Sequence, residues 1–257
     1  MSDYGPSLTP RMRPINPKRS TIVSVLDVGT SKVVCLIAEL LPVSGAEALK
    51  GRTHKARIIG LGHQRARGIK GGAIIDLEAA EHSIRLAIDF AERMARVEVR
   101  SVIVNMTGGR LKSEAFTAEV SLRGQGVSDG DIRRVFEAMS FTGAETGRSV
   151  LHSLPTGFAI DETRHIRDPH GMIGERLGVD MHILTSDEYA IRNLMLAVER
   201  CHVGVEAVVA SPYASGLSSL VDDEAEMGVA VVELGGGTTS VGVFSNGVLV
   251  HADAVAV

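Results

Sequence analysis

The sequence predicts an α/β fold: two related half-domains facing each other across a cleft, with a compact α/β module inserted into the first. Three observations carry that prediction. Val229–Phe244, VAVVELGGGTTSVGVF, reads as a strand, a tight glycine turn and a second strand. Val23–Ala38, VSVLDVGTSKVVCLIA, repeats it, with Val23 on Val229, Asp27 on Glu233 and Gly29 on Gly235. From about Ser101 the chain between the copies alternates strand and helix patterns as a further module. A repeat of this kind exposes architecture that single windows hide.

In chain order, residues 1–20 hold four of the eight prolines together with Arg11, Arg13, Lys18 and Arg19. This composition predicts a disordered basic tail, a solvated spacer or a contact for acidic headgroups or a partner. The first half-domain begins at residues 21–100. Its meander takes a third strand at Arg57–Gly62, after a loop at Pro42–Lys55. Gln64–Gly72 carries Arg65, Arg67 and Lys70 among glycines, a basic loop able to steer phosphate or simply to be solvated. Asp76 is placed to cap a helix reaching about Arg96, with Leu77, Ala80, Ile84, Ala87, Ile88, Ala91 and Ala95 on one face.

Residues 101–203 read as the inserted module. Strands are expected at Val102–Val104, Phe116–Leu122, Val150–Ile160 and Val179–Leu184. Ser128 and Asp131 form a capping-box pattern opening a helix through Met139. Asp161–Leu177 is expected as a polar loop, and a helix is expected from Thr185/Ser186 through Cys201. Residues 204–227 return to the first half-domain with a strand at Val205–Ala210, a short helix at Pro212–Leu220 and an acidic surface linker at Asp222–Glu226. Residues 228–257 start the second half, where Ser245-Asn246-Gly247 turns into Val248–His251. Only one meander of that half is present, so the second lobe is expected to be truncated.

Composition narrows the function classes. A net charge of −4 over 257 residues gives no electrostatic case for nucleic acid. Cys35 and Cys201 are isolated and read as structural thiols in a reducing compartment, not as a disulfide. No signal peptide opens the chain, and the longest apolar run, Val33–Leu41, is broken by Glu39 and too short to span a bilayer. Asn105-Met106-Thr107 matches a glycosylation sequon, which has meaning only in a secreted protein. There is no Gly-x4-Gly-Lys-Ser/Thr loop. Gly124-Gln125-Gly126 starts like a dinucleotide fingerprint but has Asp129 where the third glycine belongs. His165 and His170 lack a third spaced ligand and read as a solvated loop.

The glycine corners carry the chemistry. Successive glycines let backbone N–H groups approach an anion with no Cβ in the way, and small hydroxyls stand beside them. Two such corners, one from each half, describe a nucleotide clamp.

DVGTSK and ELGGGTTS resemble the two phosphate loops of the actin-like ATPase superfamily. Within it, Ala66–Glu92, Val150–Asp161, Pro169–Thr185 and Ser211–Gly216 resemble the FtsA family of bacterial cell-division proteins, in that family's order from Thr21 to Val257. The resemblance implies an actin-like (ribonuclease H-like) fold, ATP with Mg²⁺, self-association into filaments, and a link between the FtsZ ring and the cytoplasmic face of the inner membrane. The inserted module would meet later division proteins. Membrane binding in the family uses a C-terminal amphipathic helix that is absent from this sequence.

On that reading Gly29, Thr30, Ser31 and Lys32 meet the polyphosphate from one side and Gly235, Gly236, Gly237, Thr238 and Thr239 from the other, with Asp27 and Glu233 holding Mg²⁺. No catalytic residue is assigned. Glu233 stands where the superfamily has aspartate. Ser211 stands where chaperone-type members place a water-orienting glutamate, which implies slow or no hydrolysis, losing on the order of a hundredfold. The alternatives are a sugar-type kinase of the same superfamily, for which no base for an acceptor hydroxyl is visible, and a pilus-assembly actin homologue.

Overall fold

The computed structural model describes residues 14–43, 53–108, 110–122, 124–139 and 147–257. Most of the expected basic tail, residues 1–13, and most of the loop at Pro42–Lys55 lie outside them.

The first half-domain is a five-stranded sheet. Strands β1 (Thr21–Val28), β2 (Lys32–Pro42) and β3 (His54–Arg65) form the expected antiparallel meander. A two-stranded hairpin, β4 (Ile69–Lys70) and β5 (Ala73–Ile74), leads to helix α1 (Leu77–Ala95). Asp76 caps α1 by accepting from the N–H of Ala79 at 3.0 Å, and Ala80, Ile84, Ala87, Ile88 and Ala91 bury its apolar face. Strand β6 (Ser101–Met106) then runs parallel to β1.

The separate second sheet contains β7 (Lys112–Ser121), β8 (Arg148–Ile160), β9 (Thr163–Ile166) and β10 (Arg176–Asp187), in the order β7-β10-β8-β9. Helix α2 (Asp129–Ala138) packs on it with the expected capping box, and the Phe136 and Phe158 rings meet edge-on at 5.9 Å. Helix α3 (Glu188–Glu199) and strand β11 (Gly204–Ala210) return the chain to the first sheet, whose order is β11-β6-β1-β2-β3. Helices α4 (Ser211–Ser219) and α5 (Asp222–Met227) precede the second meander, β12 (Val229–Leu234), β13 (Thr238–Ser245) and β14 (Val248–Ala256).

Four local expectations are corrected. Strand β6, read with the inserted module, belongs to the first sheet, because its partner β1 is distant in sequence and no local pattern identifies that pairing. The helix expected from Thr185/Ser186 starts after Asp187, whose carboxylate caps Ala190 at 3.0 Å. Thr185 stays in β10, where its hydroxyl accepts from Arg148 at 2.9 Å. Strand β9 lies inside the segment expected as a polar loop, and the acidic linker is the short helix α5.

One large core joins the first sheet, α1 and α3 and takes in Phe244, Leu249 and Ala252 of the second meander. A smaller core, with Val135, Leu177, Val179 and Ile183, serves the second sheet and α2. Both cysteines are free; burial pushes the Cys35 thiol up to about 12, and Cys201 donates to the carbonyls of Ala197 and Glu81.

Strand β8 is fastened to the large core through His152. Its Nε2 accepts from the N–H of Ala210 at 3.0 Å, and its ring lies 4.8 Å from that of Tyr213. Burial, aided by nearby His182, holds the His152 pKa down at about 4. Protonation would break the bond to Ala210, so this histidine favours the folded state fully above its unfolded pKa of about 6.5 and progressively less as pH falls toward 4. Urea denaturation should therefore give up to about 3 kcal/mol less stability at pH 4 than at pH 7.5 from this group. His182 is shifted down as well and adds in the same direction. A His152→Asn chain should show a shallower loss over that window; an unchanged slope would remove His152 from the account.

Candidate functional site

The repeated corners are repeated in geometry. In the first, the Gly29 N–H donates to the Lys32 carbonyl at 3.0 Å; in the second, the Gly235 N–H donates to the Thr238 carbonyl at 2.8 Å. Both turns are too tight for a larger residue to enter freely: an added Cβ would crowd the Lys32 oxygen at 3.1 Å and overlap that of Thr238 at 2.9 Å.

The corners also face each other. A Cβ at Gly236 would lie 2.8 Å from Ser31 Cβ, and one at Gly237 would lie 2.6 Å from Thr30 Cγ2. The β4–β5 turn joins them: the Gly72 N–H donates to Thr30 Oγ1 at 3.2 Å, and Gly72 lies against Gly108 and Thr238. Ser31, Lys32, Gly235 and Gly236 are exposed; Gly29, Thr30 and Thr239 are half-buried; Gly237 and Thr238 are buried. A cavity of about 370 Å³ opens nearby, with Gly71, Gly108, Arg110, Asp187 and Tyr189 among its walls; of the corner residues only Thr238 reaches it.

Behind the corners the two repeated carboxylates are joined by one hydrogen-bond chain. Asn105, at the end of β6 and in register with Asp27, donates Nδ2–H to Asp27 Oδ1 at 2.9 Å and to Ser211 Oγ at 3.3 Å. Ser211 donates to Glu233 Oε1 at 2.7 Å. Ser215 also donates to Oε1, and Ser240 to Oε2. Glu233, expected as a metal ligand, thus has both oxygens engaged by serine hydroxyls. Asp27 differs: among the described residues no group bonds its Oδ2.

Asn105, Ser215, Ser240 and His152 were missed from sequence. Asn105 had a signal, being an amide closing an otherwise apolar strand, but it drew notice only as a sequon.

Among the described residues there is no cluster of three or more His, Cys, Asp or Glu side chains able to cage a metal. That suits Mg²⁺, which typically takes one or two carboxylates and completes its shell with phosphate oxygens and water. Asp27 with the hydroxyls and amides of the facing corners fits such a group.

Comparison with known proteins gives the family. Over 246 residues the chain is 53% identical to the cell division protein FtsA of Rhizobium meliloti (strain 1021), covering 96% of this chain and 56% of that protein. FtsA of Escherichia coli (strain K12) is 32% identical over 234 residues, covering 91% of this chain and 53% of its own length. The chain belongs to the FtsA family. The family description "SHS2 domain inserted in FTSA" matches residues 108–185. Among solved structures, the PilM-PilN type IV pilus biogenesis complex is similar in fold, with a TM-score of 0.57 at 13% identity, covering 91% of this chain and 61% of that one. The fold is the actin-like α/β fold with its inserted subdomain. The chain spans a little over half the length of the FtsA relatives it matches. No helix among the described residues is long and apolar enough to cross a membrane.

Proposed function

We propose that the chain is the nucleotide-binding part of an FtsA-type division scaffold. ATP would bind with its polyphosphate between Gly29–Lys32 and Gly235–Thr239, and Asp27 would hold Mg²⁺ through water. The observation that carries this reading is the pair of matched turns packed face to face, Gly236 on Ser31 and Gly237 on Thr30. When bound, the metal ion neutralises phosphate charge. The chain supplies backbone N–H groups, the hydroxyls of Thr30, Ser31, Thr238 and Thr239, and the Lys32 ammonium. Glu233 fastens α4 to the second meander through its serine partners, which leaves Asp27 as the carboxylate better placed to face the metal.

Cleavage would be slow or absent. The Ser211 hydroxyl, at the place where a water-orienting carboxylate would help, is engaged with Glu233 and Asn105. Nucleotide then acts as a ligand that holds the two halves together and favours self-association. The whole protein would link the FtsZ ring to the cytoplasmic face of the inner membrane at the division site and recruit later division proteins through the inserted subdomain.

Equilibrium titration with ATP, with and without Mg²⁺, tests the core of this reading alongside single-turnover hydrolysis. Saturable binding with little phosphate release is expected. Rapid turnover stimulated by a small acceptor would favour the kinase alternative, and failure to copurify with FtsZ would favour the pilus-assembly one.

A further inference from the structure

We propose that Asn105 is a positioning residue that tunes how the site takes up a hydrated divalent cation, an inference that rests on the nucleotide reading above. The side chain sits at the carboxyl end of a strand in an α/β sheet, where such folds place their ligands. Strand β6 lies between β1 and β11, so Asn105 pairs in register with Asp27 on one side and Val209 on the other.

Its amide nitrogen is committed in both directions, to Asp27 Oδ1 at 2.9 Å and to Ser211 Oγ at 3.3 Å. The proton bookkeeping closes. Ser211 accepts from Asn105 and donates its own O–H to Glu233 at 2.7 Å, so both carboxylates stay acceptors and no proton is shared between them. A hydrocarbon at position 105 would leave Asp27 and Ser211 without their donor.

The remaining atom, Oδ1, is buried and has no hydrogen-bond partner among the described residues. A buried acceptor left unpaired beside a carboxylate is suited to an O–H donor that arrives with the ligand. Water in the shell of a divalent ion at Asp27 is such a donor, because Mg²⁺ gives up its waters reluctantly. Asn105 would then act on the cation twice: it orients Asp27 through Nδ2 and bonds the ion's water through Oδ1. Neither contact requires nucleotide chemistry. The effect belongs to metal uptake and should be separable from phosphate binding.

The test titrates Mg²⁺ into the full chain at a fixed, sub-saturating concentration of a fluorescent ATP analogue, and measures analogue affinity separately in EDTA. Asn105→Ala should raise the Mg²⁺ midpoint about 10- to 100-fold, the range found when a partner behind a metal ligand is removed. Affinity in EDTA should stay at the wild-type value. Asn105→Gln keeps both the N–H donor and the oxygen acceptor on a longer stem and should bring the midpoint part of the way back toward wild type. An unmoved midpoint in the alanine chain overturns the proposal, and so does an equal loss with and without Mg²⁺, which would mark Asn105 as structural only. Should the alanine chain fail to fold, Asn105→Leu, a hydrocarbon of similar volume, takes its place, and an unmoved Mg²⁺ midpoint there overturns the proposal. Absence of analogue binding by the wild-type chain in any condition would instead remove the nucleotide reading on which the proposal rests.

Discussion

ATP affinity should fall by roughly a thousandfold in a Gly236→Asp chain that still folds, since a unit negative charge about 4 Å from a phosphate oxygen costs about 4 kcal/mol near a protein surface. Two features make this position informative. Gly236 is exposed and its backbone lies outside the left-handed region, so aspartate meets no conformational penalty there. Yet its Cβ would point straight at Ser31, 2.8 Å from that residue's Cβ, so the new carboxylate is carried against the facing corner, which must give way to admit it. Titration calorimetry gives the affinity, and a thermal melt checks folding. A folded variant with wild-type affinity would mean that the second corner does not touch phosphate. A Gly236→Ala control separates charge from bulk: its methyl meets Ser31 Cβ at the same 2.8 Å and asks the corners to part by the same amount, so the loss beyond that of alanine is the part owed to charge.

The repeat was legible because both corners need the same local solution. An acid, one apolar residue, glycine and small hydroxyls leave the chain little choice of turn, and the bonds Gly29 to Lys32 and Gly235 to Thr238 are that turn made twice. Capping was legible for a similar reason, since Asp76 and Ser128 act on N–H groups three residues away. Nonlocal pairing was not. Nothing within Ser101–Met106 says that it lies beside β1, and so the residue in register with Asp27 could not be named. The role of Glu233 was hidden by the same limit. Its likeness to Asp27 in sequence suggested a second metal ligand, while its contacts to Ser211 and Ser215 come from α4, whose packing on β12 no spacing rule reveals; only Ser240, its cross-strand partner in the predicted hairpin, was within reach of the sequence.

Glycines inside β3 were another signal left unread, and they support the largest expected loss of stability. Gly62→Ala would place a methyl carbon 1.7 Å from the Ala87 carbonyl oxygen of α1 and 2.8 Å from its carbon. These are backbone atoms in the middle of a helix, so no side chain can swing aside. Gly60 makes the same approach one turn further on, 2.5 Å from the Ala91 oxygen. Helix α1 therefore rests with its backbone on the strand, and the added methyl can be accommodated only by lifting the helix. Lifting it would open space around Ala80, Ile84, Ala87, Ile88 and Ala91, the face that α1 buries. The cost should exceed the usual 1–3 kcal/mol of overpacking and reach about 4 kcal/mol, a large part of the roughly 5–15 kcal/mol that holds a domain folded. In a chain of this size that corresponds to a fall in Tm of about 10 °C. Leu61→Ala, at the adjacent and exposed position on the opposite face of β3, should cost less than about 1 kcal/mol. Urea denaturation of the two variants beside the wild type checks the difference. If Gly62→Ala unfolds at the wild-type midpoint, α1 does not sit this close to β3. The sheet that holds Asp27 and Asn105 in register would then have to be supported in some other way.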